Sequence, residues 1–391
     1  MKVVEAISDT NIGGAGILLL NRLKYSDRKK IRTIVLIPQG SKLKSRLSEI
    51  GIATVEMRGC QDQSLDWRAV WEIRRILQRI RPDIVNCHGC LSARIAAKSC
   101  GFPITVYTRH CAYPLTAWQS TPVARFLIGK AQQMLSDQMI AVAEAAKDNL
   151  TDMGVSSDRI RVIVNGVEGF LRRSLSERNQ VRQSLRIPQN ATVVGICARL
   201  EPCKGHYDFL RAAKLLLQRS KRYRFLIIGS GSLSQRLKAY CDIEGLAPYV
   251  RFTGFAEDVS PYYNVMDINV NCSVGTETSS LALSEGMSLG IPAVVSDYGG
   301  NPYMVRNGEN GLVYPTGRYD LLANQIHRIT CDRNLYQRLS YGAYQRFLTE
   351  LNAKRMTEET ERLYRSLYKK TQAKYRKEER TVSLKLRQYG L

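Results

Sequence analysis

Two carboxylates eight residues apart, Glu277 and Glu285, stand in the segment Gly275-Thr-Glu-Thr-Ser-Ser-Leu-Ala-Leu-Ser-Glu-Gly286. Ser279 and Ser280 favour the start of a helix, which places Glu277 in the loop before it and Glu285 on its second turn. A diphosphate seated on the free N–H groups near Ser280 and Leu281 would have a carboxylate on either side. One could hold sugar hydroxyls and the other ribose hydroxyls; the plainer alternative is a Glu that only complements the helix dipole. Arg199 and Lys204 lie in Ala198-Arg-Leu-Glu-Pro-Cys-Lys-Gly205, a loop that leaves a strand and enters a helix near His206. Two cations at a helix start can grip a diphosphate, unless they belong to an ordinary solvated loop. Gly13-Gly14-Ala15-Gly16 follows the first strand and would let backbone approach a ligand. It lacks the G-x-G-x-x-G spacing and the P-loop Lys, so a mere tight turn stays open.

His88 and His110 end strands and are read as strand-end or ligand-facing residues, whereas His206 and His327 are read as exposed helix positions. Cys87-His-Gly-Cys90 has no second ligand pair for zinc and reads as the small-residue end of a strand. Ten cysteines without a dense framework point to reduced thiols.

Something must carry these groups to one place. Short apolar runs (Val3 to Ser8, Thr33 to Ile37, Asp83 to His88, Ile104 to Thr108, Val193 to Ala198, Phe225 to Ile228, Ile268 to Cys272, Ala293 to Val295) alternate with helix-period segments. That rhythm specifies an α/β fold with parallel strands buried on both faces. It breaks in the polar, Arg-rich stretch 171–190. The expected organisation is therefore a Rossmann-like domain over 1–170, a linker over 171–190, a second Rossmann-like domain over 191–350, and a basic helical tail over 351–391. Every candidate residue follows a strand, and ligands collect at the carboxyl ends of strands in open α/β sheets. One cleft between facing sheets would gather them all.

The 391 residues, 44% apolar and 24% charged, exclude wholesale disorder. The apolar stretches are too short for a membrane span. Glu5 and Asp9 interrupt the apolar N-terminus, so it reads as a strand and not an export signal, with a cytoplasmic location expected. A net charge of +23 favours phosphate-bearing partners.

Taken together the motifs resemble the retaining family-4 glycosyltransferases of the GT-B fold. The resemblance runs from Ile7 to Gly14 through Thr108-Arg-His110, Asn165-Gly-Val167, Arg199 to Gly205, Leu226 to Gly231, Val250 to Gly254 and Glu277 to Glu285, to Gly299-Gly300 and Asn310 to Val313. It implies two doubly wound sheets facing across a cleft, and retaining transfer of a sugar from a nucleoside-diphosphate sugar, UDP or GDP, with no cofactor and no metal. Arg199 and Lys204 would neutralise the diphosphate, Glu285 hold the ribose, Glu277 contact the sugar, Gly13 and Gly14 face the phosphates, His110 flank the reaction centre, and Gly254-Phe255 receive the base.

Two departures stand out. Glu277-Thr278-Ser279-Ser280 replaces a frequent Glu-Phe-Gly, and Asn301-Pro302-Tyr303 follows Gly300 where Pro-Glu is common. The expected acceptor is a glycan or lipid-linked glycan. Residues 365–391 hold nine Lys+Arg against two acidic residues and are a candidate for peripheral contact with an anionic membrane, the alternative being a solvated helix face. Other readings are a GT-B nucleotide-sugar epimerase, a phosphorylase, for which no pyridoxal Lys motif is evident, or a basic membrane or nucleic-acid binder with a degenerate site. No nucleic acid is expected, because no stacking module or reading helix accompanies the charges.

Overall fold

The computed structural model describes the backbone of residues 1–388 and the side chains of residues 1–376. The apolar runs form strands of two separate sheets. The first contains β1 (Lys2–Ile7), β2 (Arg32–Pro38), β3 (Ala53–Met57), β4 (Ile84–His88), β5 (Ile104–Arg109), β6 (Gln138–Ala141) and β7 (Ile160–Val162), in the order β3-β2-β1-β4-β5-β6-β7. The second contains β8 (Thr192–Cys197), β9 (Tyr223–Ile228), β10 (Val250–Gly254), β11 (Ile268–Asn271), β12 (Ala293–Ser296) and β13 (Gly311–Tyr314), in the order β10-β9-β8-β11-β12-β13. Their ladders are parallel. The expected α/β class, with two doubly wound sheets, is what folds.

Each sheet reverses its winding beside its first strand, between β1 and β4 and between β8 and β11. A crevice opens outside the carboxyl ends at such a point. The register sets Ile7 beside His88, so the Gly13–Gly14 turn and His88 start from neighbouring strand ends.

The segment 171–190, expected as a linker, contains a helix, Leu175–Ser184, whose start carries a capping box between Ser174 and Glu177. Arg178 Nε donates to the Asn264 carbonyl at 2.7 Å, which ties this helix to the second domain. Beyond residue 319 the chain is helical, ending in Ala353–Gln388. That helix returns to the first sheet: Ala353, Met356 and Tyr364 are buried with Val3 and Ile84, and Thr357 Oγ1 donates to the Arg22 carbonyl. Leu367, expected as part of a bilayer-facing tail, packs against the same cluster. The side chains of residues 377–391, with four of the nine tail cations, lie outside the described residues.

Candidate active site

The second domain supplies the helix start expected from the Glu277–Glu285 spacing. Ser280 caps the helix Leu281–Ser288, its Oγ accepting from the Leu283 N–H. The N–H groups of Ser280 and Leu281 have no acceptor among the described residues, which is the usual state of a helix start and an available anion seat. The loop before it is held tightly. The Gly300 N–H donates to the Glu277 carbonyl at 3.0 Å, and a Cβ on Gly300 would fall 1.7 Å from the Thr278 carbonyl oxygen. Only glycine allows that approach.

Lys204 ends a short turn, Pro202–Lys204, and Gly205 (φ +67°) begins the helix His206–Arg219. A Cβ on Gly205 would sit 2.0 Å from the Cys272 carbonyl oxygen, so this glycine fixes Lys204 against the end of β11. Lys204 Nζ lies 2.8 Å from Glu277 Oε2, with the two side chains 16% and 9% exposed. Asn271 Nδ2 and Ser273 Oγ donate to the same oxygen at 3.1 and 2.9 Å. The residues assigned separately to diphosphate and sugar are thus partners of each other. A donor entering the cleft would share or replace that contact. Arg199 is exposed and holds no ion pair among the described residues, which leaves its guanidinium free for phosphate.

Glu285 lies one turn along the helix and is partly covered. Burial pushes its carboxyl up to about 7, against a smaller opposing effect of a hydrogen bond from Tyr263. The loops after β8, β9 and β10 are bonded to one another. The Gly229 N–H donates to the Gly254 carbonyl, the Leu200 N–H donates to the Ser230 carbonyl, and Phe255 is 79% exposed beside them. From the first domain, Gly13 caps the helix Gly14–Lys24. A Cβ on Gly14 would meet nothing within 4 Å. The fold itself therefore does not require glycine there.

His110 ends β5 in a network that sequence reasoning did not assemble. Glu5, fully buried on β1, pairs with Arg22 at 2.5 Å and accepts from Asn86 at 2.9 Å; its other neighbours are His88 Nε2 at 2.8 Å and Tyr364 Oη at 3.1 Å. His88 Nδ1 lies 2.8 Å from His110 Nε2. Burial drives the Glu5 carboxyl up, but Arg22, His88 and Asn86 more than offset this and hold it below its ordinary value. Burial, and then the neighbouring His88, lower His110 to about 3, so His110 is neutral at physiological pH.

Glu5 meets His88 at Nε2 and His88 Nδ1 meets His110 Nε2, so the three groups form one buried chain. The remaining His110 Nδ1 is a buried polar atom without a hydrogen-bond partner among the described residues. Leaving such a group unmet costs roughly 1 to 3 kcal/mol, which a site recovers when a ligand hydroxyl bonds to it. The signal that could have exposed the network is Glu5 itself, an acid within a strand of otherwise apolar register.

The two halves touch at the candidate centre. The Ala112 N–H, two residues past His110, donates to Thr278 Oγ1 at 2.9 Å, next to Glu277. Tyr303, in the place where acidic residues are common, bonds through its hydroxyl to Asp148 at 3.0 Å across the cleft. His206, expected to be exposed, is 1% exposed. It opens its helix on the inward face, and burial followed by the Lys204 charge lowers it to about 4. Cys87 and Cys90 are buried as read, with Cys90 Sγ 3.9 Å from Cys60 Sγ.

Family profiles match both halves: Glycosyltransferase Family 4 over residues 12–168 and Glycosyl transferases group 1 over residues 177–346. Among curated proteins the chain is 27% identical over 288 residues to an Escherichia coli UDP-Gal:alpha-D-GlcNAc-diphosphoundecaprenol alpha-1,3-galactosyltransferase, covering 71% of this chain and 74% of that one. It is 20% identical over 367 residues to the capsular polysaccharide biosynthesis glycosyltransferase CapM of Staphylococcus aureus, covering 91% and 96%. Its fold is similar to that of Anabaena Alr3699/HepE, solved with UDP, at a TM-score of 0.79 and 20% identity over 94% of this chain and all of that one. With the E-x7-E helix, the paired cations and the two facing sheets all in place, the chain belongs to the group 1, family-4 glycosyltransferases of the GT-B fold.

Proposed function

We propose that this glycosyltransferase moves a hexose from a UDP-sugar to a lipid-linked or cell-surface glycan acceptor, with retained anomeric configuration and without a metal, at the cytoplasmic face of a membrane. The observation that carries the reading is the helix start at Ser280–Leu281, with Lys204 and Glu277 beside it and the His110 loop bonded to it through Thr278. Arg199, Lys204 and the free N–H groups stabilise the departing diphosphate, which reduces the need for acid catalysis. The acceptor oxygen takes the place of the diphosphate oxygen on the anomeric carbon, and its proton leaves with the diphosphate. Glu277 accepts from sugar hydroxyls, the unpartnered His110 Nδ1 bonds to one, and Glu285 accepts from the ribose. UDP and a glycan acceptor are supported by the names of the relatives: the Escherichia coli enzyme uses UDP-Gal and a diphosphoundecaprenol-linked sugar, and HepE was solved with UDP-glucose.

Product formed in excess EDTA, read by proton NMR, tests the chemistry. Undiminished turnover and a product anomer matching the donor are expected; loss of turnover or an inverted linkage refutes metal independence or retention. Sugar nucleotide isomerised without acceptor would replace transfer by epimerisation.

A pH titration tests the donor side. Because a carboxyl near 7 is mostly protonated at pH 6 and a protonated carboxyl is a poorer acceptor for a ribose diol, UDP affinity should fall as pH drops below 7. The limiting slope attributable to Glu285 is about tenfold per pH unit. Isothermal titration of wild type beside Glu285→Gln separates this from the titration of UDP itself; identical profiles would remove Glu285 from the ribose.

A further inference from the structure

Glu277 is held by one of its two oxygens. Lys204 Nζ, Asn271 Nδ2 and Ser273 Oγ all approach Oε2, at 2.8, 3.1 and 2.9 Å. Oε1 has no hydrogen-bond or ion-pair partner among the described residues, and it is not sealed from solvent. An ionised carboxylate accepts on both oxygens, so the convergence on one of them is imposed by what lies behind it.

Behind it stands a buried polar tier. Asn271 ends the strand β11, and its Oδ1 accepts from the Ser273 N–H at 3.0 Å. Asn301 Nδ2 lies 3.4 Å from the same Oδ1 and donates to Ser296 Oγ at 3.1 Å, while Ser296 Oγ donates to the Ser273 carbonyl at 2.7 Å. With two donors on Oδ1 the Asn271 amide cannot turn over, so its Nδ2 must face Glu277. Ser273, Ser296 and Asn301 are 0% exposed, and Asn301 Oδ1 has no partner among the described residues. A buried network left partly unsatisfied is less stable than an apolar filling. Stability therefore does not account for the tier; the orientation of Glu277 does.

We propose, on the transferase reading above, that Asn271 and Ser273 are positioning residues which aim Glu277 Oε1 at the donor sugar, with Ser296 and Asn301 locking them in place. In that reading Lys204 turns to the diphosphate when the donor enters. Two neutral donors then stay on Oε2, and the carboxylate keeps its aim. A fixed acceptor oxygen that meets one sugar hydroxyl rejects a hexose lacking it there, because a desolvated acceptor left unmet costs more than a contact not made. The tier thereby sets which hexose is taken, and Lys204 does not.

The test is Ser273→Ala in the full chain, titrated calorimetrically with UDP, UDP-glucose and UDP-galactose beside wild type. UDP carries no sugar to meet Glu277, and its affinity should stay within about twofold, less than one hydrogen bond contributes. The sugar nucleotide that wild type binds better should lose roughly five- to tenfold, the effect of one neutral hydrogen bond. A merely structural fault in this loop would weaken UDP as well, because the Ser280–Leu281 helix start is the diphosphate seat of the proposed site. Wild type supplies a second readout that needs no variant: among the 2-, 3-, 4- and 6-deoxy forms of the better-bound sugar nucleotide, at least one should lose about tenfold or more. Ser273→Ala should bind that deoxy form as wild type does, since the hydroxyl that Oε1 would meet is gone. The inference alone is overturned, with the UDP-sugar reading left standing, if Ser273→Ala weakens UDP and sugar nucleotide alike or weakens neither, or if every deoxy form binds as its parent does. Wild type that binds none of the three nucleotides refutes the UDP-sugar reading and the inference with it.

Discussion

Lys204→Ala should lower transfer roughly ten- to hundredfold, the loss expected when a charge-assisted hydrogen bond of about 1.5 to 3 kcal/mol disappears from the transition state. The fold should survive, because Glu277 keeps its bonds to Asn271 and Ser273. Lys204→Arg is a useful companion: it retains the charge but cannot reproduce a single 2.8 Å contact of a compact ammonium with Glu277 Oε2. An intermediate rate for this variant is expected. The informative readout is the split between kcat and the donor KM, since a group acting mainly on the developing diphosphate charge lowers kcat more than it raises KM. Glu285→Ala should produce a loss of similar size, chiefly in donor affinity. Rates within twofold of wild type for Lys204→Ala and Glu285→Ala together would take the site away from this helix start.

The second large effect falls on stability. Glu5→Gln removes the charge that compensates Arg22, and both groups are almost wholly buried. Breaking one side of such a pair costs roughly 3 to 5 kcal/mol, because the other charge stays desolvated. Replacing both residues, Glu5→Met with Arg22→Met, removes the unpaired charge but leaves Asn86, His88 and Tyr364 without their acceptor, so it should recover only part of that loss. Denaturant melts measure both, and equal stability of the single variant and wild type would contradict the pairing. The pH dependence follows from the sign of the shift. With the folded Glu5 carboxyl below its ordinary value, its contribution is present above the unfolded value and is lost as pH falls through the folded one. Whatever stability the double replacement recovers, transfer should stay depressed, since His88 loses the carboxylate that holds it against His110. Full activity in that double variant would reduce the network to a packing device.

The chain alone made the α/β class legible, because burial on both faces of a parallel strand writes a short apolar run that no tertiary contact can disguise. The longer strands, such as Lys2–Ile7 and Thr192–Cys197, are plain for that reason. Ile160–Val162 and Gln138–Ala141, three and four residues long at one edge of the first sheet, are not, since so few residues carry no pattern. The E-x7-E helix and the Lys204 turn were equally legible: a helix start, its cap and the glycines around it are decided within a dozen positions.

Tertiary structure decided what depends on distant partners. Glu5 read as a charge interrupting an apolar terminus, yet it is buried because Arg22, Asn86, His88 and Tyr364, up to 359 positions away, arrive to compensate it. His206 looked like an exposed helix residue and faces inward. In the helix Pro122–Leu135 the exposed residues Val123, Phe126, Leu127 and Met134 have the spacing of a core face, and periodicity cannot say on which side the core lies. Gly129 against Gly154 settles it, by bringing backbone so near that only the small side of the helix can turn inward.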